Sequence, residues 1–239
     1  MERGFKRDDL KARYDVEKLV EDDWHTYEGE QVLELLLSFL PECCSQSPWL
    51  LNAGAGVYRL GMGDWREITL DLFPRPIEHS RYPVCGTVER LPIQTRSIGA
   101  VVCVGEVLNY CDPTKVLTEF SRVLVQDGNL IIDFSSSRSP RYWLEESYAK
   151  AARLVTDTYN GTPERTWVYS PEYIETLLVS LGFRVVSRTP INAWSALAKR
   201  LRVADVAAIR FQRRLKWIRP PATWADLMMI EAVATGTWK

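Results

Sequence analysis

The chain has 239 residues, 46% hydrophobic and 26% charged, proportions ordinary for a soluble globular protein. At this length, one domain with a large insertion and two domains are both open. The net charge of −1 gives no overall pull toward nucleic acid or an anionic membrane, and no apolar run approaches the 18 or so residues of a membrane span.

The N-terminus, MERGFKRDDLKARYD, is charged and lacks the apolar core of a signal peptide. Residues 28–40, EGEQVLELLLSFL, carry apolar side chains at helical spacing until Pro41. Cys43 and Cys44 are adjacent among five cysteines whose spacing suggests neither zinc nor a disulfide framework. Reduced thiols and a cytoplasmic location are therefore expected, with no metal site. WLLNAG (49–54) reads as a strand entering a turn, and EITLDL (67–72) as a second strand. Val84 and Cys85 make a short third strand closed by Gly86, and SIGAVVCVGEVLNY (97–110) opens with a buried one. PTKVLTEFSRVL (113–124) is helical, and QDGNLIIDFS (126–135) is a turn followed by a strand. PEYIETLLVSLGF (171–183) is a helix closed by Gly182, followed by strands RVVSRT (184–189) and DLMMIEAVA (226–234). Strands alternating with helices predict an α/β fold, a parallel doubly wound sheet. The runs VVCV and LIID suit strands covered on both faces.

In such a sheet, ligands sit at the carboxyl ends of the strands, where strand order reverses. Gly54 and Gly56 follow the first strand and let backbone approach a ligand closely. Asp71 ends the second strand, where a carboxylate can accept from both hydroxyls of a ribose. A dinucleotide is disfavoured. Its fingerprint needs a third Gly or Ala opening a helix, and here that place is Arg59, with Gly61 and Gly63 beyond.

Five segments in order, NAGAG (52–56), LDL (70–72), GTVERLP (86–92), IGAVVCVGEVLNYCDP (98–113) and EFSRVLVQDGNLIIDFS (119–135), resemble the class I S-adenosylmethionine-dependent methyltransferases. The likeness is to the branch with a shortened first helix, and it extends more loosely through 169–186. It implies a Rossmann-like sheet of seven strands, the last antiparallel, in one domain. A helical cap (1–48) would precede a cofactor-binding half (49–135), a cap over substrate (136–168) and a basic helical insertion (192–221) between the last two strands. The cofactor implied is S-adenosyl-L-methionine. Asn52, Ala53, Gly54, Ala55 and Gly56 would wrap its methionine part, Asp71 and Leu72 its ribose, and Thr87, Val88 and Glu89 its adenine. Val104, Gly105 and Glu106 would stand beside the sulfonium. Relatives often have acids where Asn52 and Thr87 stand. Methyl transfer from a positive sulfur needs positioning and exclusion of water more than a protein nucleophile. Where the acceptor is protonated, the candidate bases or positioning groups are Glu106, Asn109, Tyr110 and His25.

Two segments carry expectations of their own. In the cap, Arg138, Arg141, Tyr142, Trp143 and Tyr148 either line a pocket for an aromatic or anionic acceptor or pack in a surface helical hairpin. In NAWSALAKRLRVADVAAIRFQRRLKWIRPP (192–221), Asn192 can cap a helix and Pro220 can end it. From Trp194 to Arg219 there are eight basic residues and one acid, +7, which leaves −8 for the rest of the chain. Contact with an anionic surface, either acidic lipid at the membrane periphery or a polyanionic substrate, a homodimer interface, and an internal helix, continuous or split, are the readings of this segment. The leading function is methylation of a small-molecule or lipid-like acceptor at oxygen or nitrogen. The alternatives are methylation of RNA, DNA or protein, and a non-catalytic scaffold that keeps the fold.

Overall fold

The computed structural model describes residues 23–40, 46–56, 59–61, 63–146, 148–159, 162–215, 217–218, 220–221 and 224–236. The charged N-terminus, Pro41, Cys43 and Cys44 lie outside them. Among the described residues there are nine strands: β1 (Trp49–Ala53), β2 (Arg66–Asp71), β3 (Pro83–Cys85), β4 (Ile98–Cys103), β5 (Leu124–Ser135), β6 (Ala152–Tyr159), β7 (Thr162–Tyr169), β8 (Phe183–Ile191) and β9 (Leu227–Ala234). The helices are α1 (Asp23–Phe39), α2 (Pro113–Val123), α3 (Pro171–Ser180), α4 (Ala193–Arg200) and α5 (Asp205–Leu215). Seven strands form one sheet in the order β3-β2-β1-β4-β5-β9-β8. β1, β2, β3, β4 and β5 pair in parallel, and β9 runs antiparallel to both β5 and β8. The seven strands and the antiparallel last one match expectation. Strand order reverses between β1 and β4, so the crevice opens there, at their carboxyl ends.

Period-two alternation divides the core. Along β4, Val101 and Cys103 face the side covered by α2 and α3, where Val116, Leu117, Phe120, Ile174 and Leu178 pack. Ala100 and Val102 face the other side, covered by Val32, Leu36 and Leu40 after and along α1. All six residues of β4 are buried, as the VVCV run predicts. Each large aliphatic side chain removed from water here contributes about 1.5–3 kcal/mol. Local signals set the helix starts. Asp112 accepts from the Thr114 N–H (3.0 Å) and Ser170 from the Tyr173 N–H (3.2 Å), each with Pro at the next position.

Two expectations need correction, and of the continuous and split readings of the basic segment the split one holds. Residues 136–168 do not fold as a helical hairpin. β6 and β7 form an antiparallel hairpin after a short 3-10 turn at Pro140–Tyr142. The alternation in ARLVTDTY and TPERTWVY is that of half-buried strands. The basic segment is split in two, α4 and α5, by a turn in which Arg202 adopts φ 58°. Asn192 does not cap α4. It sits at φ 60° with no cap bond from its side chain, and Gln212 Oε1 of α5 accepts from the Trp194 and Ser195 N–H groups instead, at 3.0 Å each. A cap supplied from 17 residues away is invisible to local sequence rules. Because α4 and α5 join the end of β8 to the start of β9, and β9 runs back against its neighbours, this helix pair stands at the same carboxyl edge as the crevice.

Candidate functional site

The crevice is built first from backbone. The Gly54 and Ala55 N–H groups both donate to Leu70 O (2.8 and 3.0 Å), which pins the turn after β1 to the end of β2. Asp71 stands where three segments meet. Its Oδ2 accepts from the Gly56 N–H at 2.8 Å, its Oδ1 from the Phe73 N–H at 3.0 Å, and its carbonyl from the Gly86 N–H at 2.8 Å. A carboxylate offers about four lone-pair positions, so two N–H bonds leave capacity for hydroxyls. Gly54 lies at φ +74°, and a Cβ there would sit 2.5 Å from Val107 Cγ2, so both conformation and space require glycine. Gly56 (φ +52°) and Gly105 (φ +82°) face open space. A cradle therefore runs from the β1 turn to the end of β4, bordered by bare backbone.

Glu67 explains the loop that replaces a helix after this turn. Its carboxylate accepts from Asn52 Nδ2 (2.9 Å), from the Leu60 N–H (3.1 Å to Oε2) and from the Gly61 N–H (3.0 Å). Loop N–H groups that a helix would satisfy internally are met by one side chain. Asn52 is thus held inside the sheet, and Ala53 and Val88 turn into the main core. Thr87 Oγ accepts from the Glu89 N–H at 3.2 Å, and Glu89 accepts from the Asp112 N–H at 2.7 Å. Leu72 follows Asp71 at the rim, half-buried.

The end of β4 is held in an unusual backbone shape. Gly105 and Glu106 are both left-handed, at φ 82° and 62°. Their N–H groups donate to the two oxygens of Asp133 on β5, at 3.0 and 2.8 Å. Holding Glu106 there costs about 1 kcal/mol, which these two hydrogen bonds offset. Asp133 is fully buried. Burial pushes its pKa up to about 7, while the two N–H donors pull the other way. Glu106 accepts from Ser135 Oγ and from Asn109 Nδ2 (3.2 Å). Asn109 also bonds Ser135 through Nδ2 to Oγ (2.8 Å) and through Oδ1 from the backbone N–H (3.1 Å), so it braces Glu106 from a buried position. Tyr110 ends the same 3-10 turn, half-buried, and Val104 packs partly against the α1 side of the sheet.

Four acids gather on this edge, two of them, Glu28 and Asp226, outside the motif segments. Glu28 on α1 has its pKa driven up chiefly by burial and then by the negative charges of Glu106, Asp226 and Asp133, while its bond from Asn192 opposes the shift. Asn192 Nδ2 donates to Glu28 Oε2 at 2.6 Å, and Asn192 Oδ1 accepts from Gln31 Nε2 at 2.7 Å. Asp226, just before β9, accepts from Ser139 Oγ (2.6 Å) and pairs with Arg141 Nε (3.2 Å). His25 belongs to α1, one turn before Glu28. Beside Asp226, Trp224 meets the edges of Trp143 (4.4 Å between centroids) and Trp194 (6.1 Å). Of the expected cap residues, Arg141 and Trp143 reach this edge. Arg138 is engaged by Glu172 (3.0 Å), and Tyr148 accepts from Trp143 Nε1 (3.2 Å).

Residues 52–132 match the family model of a methyltransferase domain. The fold is that of the class I S-adenosylmethionine-dependent methyltransferases. No curated protein sequence matches the chain. Solved structures share this methyltransferase fold at low identity. A glycopeptide N-methyltransferase complexed with S-adenosyl-L-methionine is 16% identical, with a TM-score of 0.58 over 87% of this chain and 94% of that one. The Burkholderia thailandensis 1,6-didemethyltoxoflavin-N1-methyltransferase, bound to its substrate and S-adenosylhomocysteine, is also 16% identical, with a TM-score of 0.57 over 96% and 87%. The Streptomyces coelicolor geranyl diphosphate C-methyltransferase is 15% identical, with a TM-score of 0.53 over 86% and 79%.

The glycine turn, Asp71 and the end of β4, named from the sequence, lie together at this crevice; Glu28, Glu67 and Asp226 beside them were not named, and Asp133 and Asn192 were given no part in it. The one signal available was Asp133, an acid within the apolar run LIIDF.

Proposed function

We propose that this protein transfers the methyl group of S-adenosyl-L-methionine to a nitrogen of a small basic molecule. The cofactor fits the chain's own residues. Bare backbone at Gly56 and Gly105 borders its place, and Asp71 keeps acceptor capacity for ribose hydroxyls. Bound there, the cofactor supplies a methyl group already activated by positive sulfur. The chain's work is then to hold the acceptor in line, exclude water and remove one proton.

The observation that carries the amine reading is the imbalance of charge. The negative charges of Glu106, Asp226 and Asp133 all bear on Glu28, and among the described residues the cation paired with one of these acids is Arg141, on Asp226. A protonated amine entering this edge relieves that imbalance, and the indoles of Trp143 and Trp224 suit a cation beside them. Glu28, with its raised pKa, is the best-placed base to take the ammonium proton before nitrogen attacks. Glu106, braced by Asn109 and Ser135, orients the acceptor. Two of the fold neighbours are named as N-methyltransferases, which agrees with nitrogen as acceptor.

The test combines calorimetry of cofactor binding with a labelled-methyl panel of primary and secondary amines against matched alcohols and carboxylates. Cofactor binding and labelling of amines are expected, with turnover rising with pH as Glu28 loses its proton, and falling at least tenfold in Glu28→Gln. Labelling confined to alcohols or carboxylates overturns the amine assignment. A folded protein that does not bind S-adenosyl-L-methionine overturns the reaction itself.

A further inference from the structure

Among the described residues, twelve large apolar side chains are exposed, and six of them, Leu201, Val203, Val206, Phe211, Trp217 and Ile218, fall in 201–218. Trp217 is 84% exposed and Leu201 73%. This concentration is not the scatter of single apolar residues common on soluble surfaces. The same stretch carries the chain's excess of positive charge. On α5, Ala208 and Ile209 turn inward and Gln212 caps α4, so Arg210 and Arg214 project from the opposite, outer face. Arg202 projects from the turn between the helices. Arg213 is engaged, its guanidinium lying 5.1 Å from the ring centre of Tyr27, and Lys199 pairs with Asp205 at 3.3 Å. α5 spans about 16 Å. Leu201, Val203 and Val206 lie at its first end and Trp217 and Ile218 at its last, with the arginines between.

We propose that the α4–α5 pair docks this protein on an anionic lipid surface, with α5 lying in the plane of the headgroups. Charge and apolarity together select this occupant. Arginines reach lipid phosphates, while exposed aliphatic and indole side chains gain nothing from a hydrated polyanion but insert among acyl chains. A symmetric second copy is disfavoured, because a two-fold axis through this face sets arginine against arginine. The site's position adds a consequence. Trp194, at the start of α4, packs near Trp224, two residues before Asp226, so a surface held by α5 adjoins the acceptor edge.

Flotation with phosphatidylcholine vesicles, with and without one-third phosphatidylglycerol, tests this with the full chain. Each arginine near an anionic leaflet contributes about 1 kcal/mol, about fivefold in affinity. Binding is expected to anionic vesicles alone. It should weaken at least tenfold between about 0.05 and about 0.3 M salt, as screening shortens from above 10 Å. Arg202→Gln with Arg210→Gln and Arg214→Gln should lower binding by about a hundredfold. Leu201→Ser with Trp217→Ser should lower it at least tenfold at constant charge. These side chains are exposed, so melting temperature and cofactor affinity should be unchanged in both variants. No binding to anionic vesicles overturns the proposal. So does binding of polyuridylate at equal strength that ignores the Leu201/Trp217 variant, which identifies a polyanion surface. A dimer of wild type that dissociates in that variant, without vesicle binding, identifies an interface between copies.

Discussion

The two edges of the crevice are made differently. The β1–β2 side is assembled from backbone and two carboxylates, Glu67 and Asp71, within twenty residues, from Asn52 to Asp71. The β4–β5 side draws side chains from α1, the β4 turn, β5, the end of β8 and the approach to β9. One is a short loop whose chemistry is set by glycine and by the end of a strand. The other exists only when distant segments come together. The lesson is one of construction: the glycine-turn side is carried by local geometry, whereas the side that gathers the acids is a long-range construction.

The sharpest way to break this contrast is at Gly54. Gly54→Ala places a Cβ 2.5 Å from Val107 Cγ2 at a left-handed φ. It should destabilise the protein by about 3 kcal/mol, measured by urea unfolding, and abolish cofactor binding. If the variant is as stable as wild type, the turn is not rigid. Asp71→Ala comes next. It removes the acceptor for the Gly56 and Phe73 N–H groups as well as the proposed ribose contact. Cofactor affinity should fall by about 2–3 kcal/mol in calorimetry, with a smaller loss of stability.

Asp133 probes the opposite edge through pH. Its folded pKa, about 7, lies above the value of an unfolded aspartate, so the folded state holds the proton between them. The stability this group contributes is full below about pH 4 and is lost as pH rises through 7, at up to about 1.4 kcal/mol per unit. Urea unfolding at intervals over that window should show the decline, and Asp133→Asn should flatten it. The smallest effect separates two arginines that the sequence places together. Arg138 pairs with Glu172 at the surface, so Arg138→Ala should change stability by less than about 0.5 kcal/mol and leave acceptor labelling intact. Arg141→Ala, which leaves the four acids without their paired cation, should tighten binding of cationic acceptors relative to neutral ones.

What could be read from the sequence follows the same division. The sheet and α2 and α3 were legible because buried parallel strands make uninterrupted apolar runs, and Asp112-Pro113 and Ser170-Pro171 announce their helices. The glycine turn and Asp71 were legible for the same local reasons. The absence of a helix after the turn was legible from Gly61 and Gly63, yet its physical cause, Glu67, was not, because an acid on a strand carries no sign of the loop it will bind. The β6–β7 hairpin was lost because its alternation is short and polar. Glu28 was passed over because on an amphipathic helix it reads as one more solvated charge, and only the bond from Asn192 shows otherwise.

The Glu28–Asn192 bond joins residues 164 apart in the chain. Closing so long a loop costs conformational entropy that neighbouring strands do not incur. The clasp between α1 and the end of β8 is therefore expected to form after the sheet and to open before it. Amides of α1 should exchange with solvent through partial openings that leave β4 and β5 protected. The β4–β5 edge would then loosen while the β1–β2 edge stays assembled; on the proposed function, that order lets a methylated product depart ahead of the demethylated cofactor.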